Sequence, residues 1–177
     1  GADPGWVELQ DDFGDGFRQA LAARGVAPER VRLEVRESVI MTDLDRVIPQ
    51  LRALAGDGVQ IAVDSFGTAY GSLTYLQQLP VGMLKIDRSF VQELGTGGGP
   101  HGHTVVDAIV AMARGLGLAI IAEGVESRRQ LDYLEAHGCP VVQGFMHHQP
   151  MPAEALEALL REQGARGAEA PGTFGLR

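Results

Sequence analysis

The 177-residue sequence predicts an α/β fold in which helices cover a parallel sheet, and three observations carry that prediction. Short apolar runs alternate with longer amphipathic stretches, Gly and Pro signals punctuate the joins, and the strands recur at roughly 20–36-residue spacing, too far apart for hairpins. Five strands can be read, whereas a closed (β/α)8 barrel needs eight and typically about 250 residues. Two architectures fit: an open doubly wound sheet, or a barrel without its first strands.

Each element has a local reason. Phe13 to Arg24 places Phe13, Phe17 and Leu21 at helical spacing, with Gly25 just past the end. Val31 to Glu37 alternates with period two and predicts a strand. Asp43 to Ala55 predicts a helix closed by Gly56 and Gly58, with Pro49 expected to kink or break it. Val59 to Asp64 predicts a second strand, Leu73 to Leu79 a short helix ended by Pro80, and Met83 to Asp87 a third strand. Gly95 to His103 (GTGGGPHGH) has no strand before it and reads as a surface loop rather than a phosphate cradle, with His101 and His103 in solvent. Val105 to Arg114 predicts a helix, and Leu118 to Glu123 a strand apolar enough to be buried on both faces. Ser127 should cap a helix reaching Ala136, with Gly138 beyond it. Val141 to Phe145 predicts a short fifth strand, and Pro152 opens a last helix to about Arg161. The organisation expected is an N-terminal remnant over 1–12, which includes Trp6, one domain over 13–163, and a Gly/Ala-rich flexible tail over 164–177.

Composition narrows the function. Fifteen Lys+Arg against twenty-three Asp+Glu give a net charge of −8, which disfavours a nucleic-acid polymer as partner, since that wants a positive field. The longest apolar runs, such as Leu118 to Ala122, fall far short of the ~20 residues that cross a bilayer. The single cysteine, Cys139, precludes an internal disulfide and fits a reducing compartment, so a cytoplasmic location is expected. Cys139 itself reads as a small core residue.

The polar residues form the informative pattern. Each strand is apolar until its C-terminal end, where it carries a charge or an amide: Glu34 and Glu37, then Asp64, then Lys85 and Asp87, then Glu123, then Gln143. In parallel α/β proteins, sites collect at that end of the sheet. Several carboxylates with no histidine or cysteine among them suit a hard divalent cation, Mg²⁺ or Mn²⁺, rather than zinc, and such clusters activate water against phosphodiesters. Lys85 is the only lysine beside fourteen arginines. A compact ammonium can approach a phosphate oxygen or a water in a way that a guanidinium fork cannot. The segment after Asp64, beginning Ser65-Phe66-Gly67, is rich in glycine and hydroxyls and reads as a loop able to close over substrate. Glu37, three residues past Glu34, could anchor that loop. The adjacent His147 and His148 point to opposite sides and are weak ligand candidates.

Taken together, LEVRES (Leu33–Ser38), VDSFGTAYGSLTYL (Val63–Leu76), LKIDRSFV (Leu84–Val91), IAEGVES (Ile121–Ser127) and QGF (Gln143–Phe145) resemble the EAL domain, a bacterial module that hydrolyses or binds cyclic di-GMP. The resemblance implies a TIM-like barrel with one strand reversed, here lacking its first strands. It implies metal ligation by Glu34, Asp64, Glu123 and Asp87, with Lys85 holding or deprotonating the attacking water and Glu37 bracing the loop. It further implies that Gln143 and the Ser65, Phe66 and Gly67 loop contact the dinucleotide, and that a second copy of the chain or other signalling domains serve as partners.

The sequence also departs from the family. No upstream strand bears the family's Glu-x-Leu-x-Arg motif, no asparagine exists to supply the usual amide ligand, and Ser65 stands where the loop's second aspartate is expected. The resemblance therefore implies a phosphodiesterase ancestry with impaired turnover to linear pGpG, or alternatively an inactive domain that acts as a cyclic di-GMP receptor or interaction module. The later Glu157-Ala-Leu-Leu-Arg161 fits the missing motif, but Leu156, Leu159 and Leu160 give it helical spacing and make Glu157 and Arg161 an i,i+4 surface pair.

Overall fold

The computed structural model describes residues 13–69, 73–94, 100–146 and 149–167. Trp6, His147, His148 and the tail beyond Gly167 lie outside them. The strands are β1 (Arg32–Arg36), β2 (Gln60–Phe66), β3 (Met83–Ile86), β4 (Ala119–Glu123) and β5 (Val141–Gln143). They form one parallel sheet in the order β1-β2-β3-β4-β5. Seven α-helices stand among the described residues: α1 (Phe13–Ala23), α2 (Glu37–Thr42), α3 (Leu44–Gly56), α4 (Arg88–Glu93), α5 (Pro100–Gly115), α6 (Arg128–His137) and α7 (Ala153–Gly167). A 3-10 turn over Leu73–Gln78 occupies the place of the expected short helix. Sequential strand order with an α-helix or, between β2 and β3, a 3-10 turn in each crossover is the arrangement of a (β/α) barrel; in the described residues the sheet is open, with β1 and β5 at its edges.

The cap chemistry fell where expected. Ser127 accepts from the Gln130 amide while Gln130 returns its side-chain oxygen to the Ser127 amide at 2.9 Å, a complete capping box. Gly138 closes α6 at φ 90°, where a Cβ would stand 2.2 Å from the Arg114 guanidinium. Asp43, read as the first residue of its helix, instead caps α3 by accepting from the Arg46 amide at 3.2 Å. Pro49 does not break α3, which runs from Leu44 to Gly56: both Pro49 and Asp45, whose carbonyl it frees, lie on the exposed side, where water can take the unmade bond.

Two short helices were not anticipated. β1 ends at Arg36, and Glu37 opens α2 instead of closing the strand. Asp87 likewise leaves β3 and caps α4 by accepting from the Ser89 amide at 2.9 Å. Two further elements extend past their expected ends. Of the stretch Gly95–His103 read as a loop, Pro100 to His103 belong to α5, which begins at Pro100, a favoured first helical residue, and 95–99 lie outside the described residues. Its His103 is half-buried, edge-on to Tyr133 with ring centres 4.6 Å apart, not in solvent. The last helix runs on to Gly167.

The in-register pairing sorts the strand residues by face. Leu33, Val35, Ile61, Val63, Leu84, Ile86, Ile120 and Ala122 share the face under the helices and are largely buried. Together with Ile40, Leu51, Leu54, Val91, Val106 and Leu134 they make the core. The opposite face carries Arg32, Gln60, Met83, Ala119 and Val141 near the strand starts, and Ala119 and Val141 are exposed. The expectation that β4 is buried on both faces therefore holds at Ile121 but not at Ala119. That second face also carries the strand-end polar residues.

Candidate active site

Parallel register lays Glu34, Asp64, Lys85, Glu123 and Gln143 on the same sheet face, because Arg36 pairs with Asp64, Lys85 with Ile121 and Glu123 with Gln143. Lys85 sits on the central strand, 3 % exposed. Its ammonium bonds both Glu34 and Glu123 and lies 3.5 Å from Asp64 Oδ1. One carboxylate oxygen from each of Glu34, Asp64 and Glu123 lies within 4.8 Å of the others, the group among the described residues suited to a cation. Asp64 Oδ1 is buried and accepts no hydrogen bond. A buried carboxylate oxygen without a donor is costly, and all-oxygen ligands match a hard divalent ion, so these residues fit such an ion.

The electrostatics follow from that crowding. Burial alone would lower the Lys85 pKa, but the hydrogen bonds to Glu123 and Glu34 and the charges of Glu123 and Asp64 outweigh it and raise it. Burial raises Glu123 against the pull of Lys85, and Asp64 and Glu34 add to the rise. Asp87 stands outside the three-carboxylate group. Burial would raise it, yet hydrogen bonds from the Ser89 hydroxyl and amide and from Ser65 hold it below the usual carboxylate range.

Glu37 is 2 % exposed. Its Oε2 accepts from the amides of Gly67 at 2.9 Å and Ala69 at 3.2 Å, and its Oε1 from the Tyr75 hydroxyl at 2.6 Å. It touches no other site carboxylate through these bonds; it ties down the loop after β2, whose first residues are therefore pinned. Gly67 needs its φ of 93° and the absence of a side chain, since a Cβ would meet the Phe90 ring at 3.0 Å. Phe66, expected at the substrate, is instead in the core at 4 % exposure, paired with Ile86. Gln143 is exposed beside a cleft of about 180 Å³ that Arg88, Glu123, Gly124, Glu126, Gly144 and Phe145 also line. Phe145 is 60 % exposed there.

Sequence reasoning missed the roles of Tyr75 and Ser89. The Asp-x-Ser pattern at the end of β3 is itself a helix-cap signal and could have assigned Asp87 to α4. Nothing in the spacing points to Tyr75, which reaches Glu37 only through the fold. Glu157 and Arg161 are the exposed pair expected, 3.3 Å apart on α7.

A parallel α/β sheet with three carboxylates gathered around a buried lysine at its carboxyl end offers the oxygen ligands that a divalent cation takes. The chain belongs to the EAL domain family, whose sequence profile matches residues 7–150. It is 42 % identical over 147 residues to the cyclic di-GMP phosphodiesterase NbdA of Pseudomonas aeruginosa, covering 83 % of this chain and 18 % of that protein. Among solved structures it is similar to the PaMucR phosphodiesterase in complex with c-di-GMP, with TM-score 0.80 and 43 % identity over 85 % of this chain and 62 % of that one. A manganese and cyclic di-GMP complex of Klebsiella pneumoniae BlrP1 matches with TM-score 0.68 and 29 % identity, covering 78 % of this chain and 35 % of that one. The chain thus spans under a quarter of the length of NbdA.

Proposed function

We propose that this chain is a cyclic di-GMP module that hydrolyses its ligand to linear pGpG with a divalent cation, Mg²⁺ or Mn²⁺, at reduced turnover. The observation that carries the reading is the buried Asp64 Oδ1, which accepts no hydrogen bond and has the Lys85 ammonium only at 3.5 Å, beside Glu34 and Glu123. Glu34, Asp64 and Glu123 would hold the cation, which supplies Lewis-acid charge to the phosphodiester and makes water more acidic. Lys85, with its proton held by two carboxylates, donates: it orients water or a phosphate oxygen. Water adds across one P–O bond, and the departing ribose oxygen takes up a proton. Glu37 acts as a positioning residue, holding the loop of Gly67 and Ala69. The cleft beside Gln143 suits a guanine, with the Gln143 amide for its edge and the exposed Phe145 beside it.

The neutral Ser65 and the capped Asp87 favour a second reading, a receptor that binds without turnover. A second copy of the chain or an adjoining signalling domain would be its protein partner, and the single cysteine suits the cytoplasm. Among the described residues no helix is long and apolar enough to cross a membrane. The test is incubation with cyclic di-GMP and Mn²⁺, following pGpG by chromatography. Metal-dependent turnover lost in Lys85→Ala supports the enzyme, binding without pGpG supports the receptor, and neither binding nor turnover refutes both.

A further inference from the structure

We infer that Gln130 is a positioning residue for the cleft beside Gln143: its side-chain amide joins the turn after β4 to α4 and so sets how far Arg88 stands from Gln143. The inference rests on the reading of that cleft as the nucleotide site given above. Gln130 is 5 % exposed, and both ends of its amide are used. Its Oε1 accepts from the amides of Glu126 at 2.8 Å and Ser127 at 2.9 Å, and its Nε2 donates to the Val91 carbonyl of α4 at 3.1 Å.

The turn held in this way is the middle of the cleft. On one side it lies against the first residue of α4: Gly124 takes φ 72°, and a Cβ there would stand 2.6 Å from Arg88 Cβ. On the other side it is fastened to β5, the Val125 amide donating to the Gln143 carbonyl at 3.2 Å and the Met146 amide to the Val125 carbonyl at 3.1 Å. Arg88 and Gln143 both line the cleft, so the two walls meet through this turn. The bond from Gln130 to Val91 fastens the α4 wall.

A helix cap alone does not call for glutamine at this position. A capping box accepts Glu or Gln, and the helix dipole favours Glu, the more so because α6 has no acid in its first turn. Glutamine adds one thing, an N–H donor, and that donor goes to a different helix 39 residues away. The Val91 carbonyl also accepts from the Leu94 amide at 3.2 Å, so closing α4 does not require it. The bond therefore joins two elements. Gln130→Glu would keep both acceptor bonds of the cap and set a carboxylate oxygen against the Val91 carbonyl, pushing α4 off the turn. Glu34, Asp64 and Glu123 are placed by strand register and would stay.

The experiment measures the KM for cyclic di-GMP with Mn²⁺ (its Kd if the chain binds without turnover), and Mn²⁺ affinity separately by electron paramagnetic resonance. If Gln130→Glu leaves about one molecule in ten with a competent cleft, the KM or Kd for cyclic di-GMP rises about tenfold while Mn²⁺ affinity stays within about twofold. Ser127→Ala, which breaks the other half of the capping box at 3.3 Å, should lower Tm and leave the cyclic di-GMP value unchanged. An unchanged value in folded Gln130→Glu, an equal loss of Mn²⁺ affinity, or an equal rise in Ser127→Ala overturns the inference. Should Gln130→Glu not fold, Gln130→Met removes the donor without adding charge and must show the same split. Failure of the unmodified chain to bind cyclic di-GMP refutes the cleft reading itself. Hydrogen exchange then still decides the joint: faster exchange in α4 of Gln130→Glu with α6 unchanged supports it, and no change in α4 overturns it.

Discussion

Glu37 is the residue whose replacement should reveal how the site is held. Its carboxylate receives three donors, from Gly67, Ala69 and Tyr75, and is almost wholly removed from solvent. A hydrogen bond to a charged acceptor is worth about 1.5–3 kcal/mol. The two loop amides can turn to water once released, whereas the Tyr75 hydroxyl belongs to a residue only 4 % exposed. Glu37→Ala should therefore cost about 3–4 kcal/mol, which at roughly 2–4 °C per kcal/mol for a chain of this size lowers Tm by about 6–16 °C. Tyr75→Phe should cost about 1–2 kcal/mol by itself. Because the two side chains share one bond, urea denaturation of the single and double variants should give a coupling of about 1–2 kcal/mol, the double variant losing less than the sum. Burial, first, and the bond to Glu37 raise the Tyr75 pKa, so its phenol should resist ionisation in an alkaline absorbance titration and ionise more readily, though still above the ordinary range, in Glu37→Ala. Additivity of the two substitutions within about 0.3 kcal/mol would refute the shared bond and the bracing role built on it.

Replacing Lys85 by Met should strand three carboxylates. Removing one partner of a buried pair costs about 3–5 kcal/mol, and the 42 % exposure of the Glu34 side chain brings this to the lower end; thermal melts should recover part of the loss when Mn²⁺ is added, and no recovery would contradict the cluster's cation preference. Burial pushes the Cys139 thiol up to about 11. Iodoacetamide at pH 8 should label it only on unfolding, and because the folded state binds this proton more tightly, the thiol's contribution to stability should fall as pH rises from the ordinary thiol range to about 11. Gly144→Ala would place a Cβ 2.2 Å from the Val125 carbonyl oxygen and 2.4 Å from its nitrogen, so β5 and the cleft beside Gln143 must shift. A Tm drop of several degrees, with weaker cyclic di-GMP binding by calorimetry, is the expected outcome, and an unchanged melt would refute it.

Much of the architecture was legible because local chemistry and tertiary placement agree. Period-two runs, the Ser127 cap and Gly138 state their own conformations, and polar residues at successive strand ends betray one functional edge of a parallel sheet. The short helices α2 and α4 were not legible. Six residues such as Glu37–Thr42 give too little periodicity to separate a turn of helix from a strand's end.

What the linear order of residues determined is which strands exist, which of their ends is polar, and which chemistry a lone lysine among carboxylates suits. What only the tertiary structure decided is the division of labour among those acids. Register brings Glu34, Asp64 and Glu123 onto Lys85, while Asp87 turns to the Ser89 amide and hydroxyl at the start of α4. Glu37 was a candidate from its spacing, but its commitment to Tyr75, 38 residues away, depends on the packing of α2 against the segment after β2. A carboxylate's role is set by the donors and charges within about 4–6 Å of it, and those neighbours are assembled from distant parts of the chain.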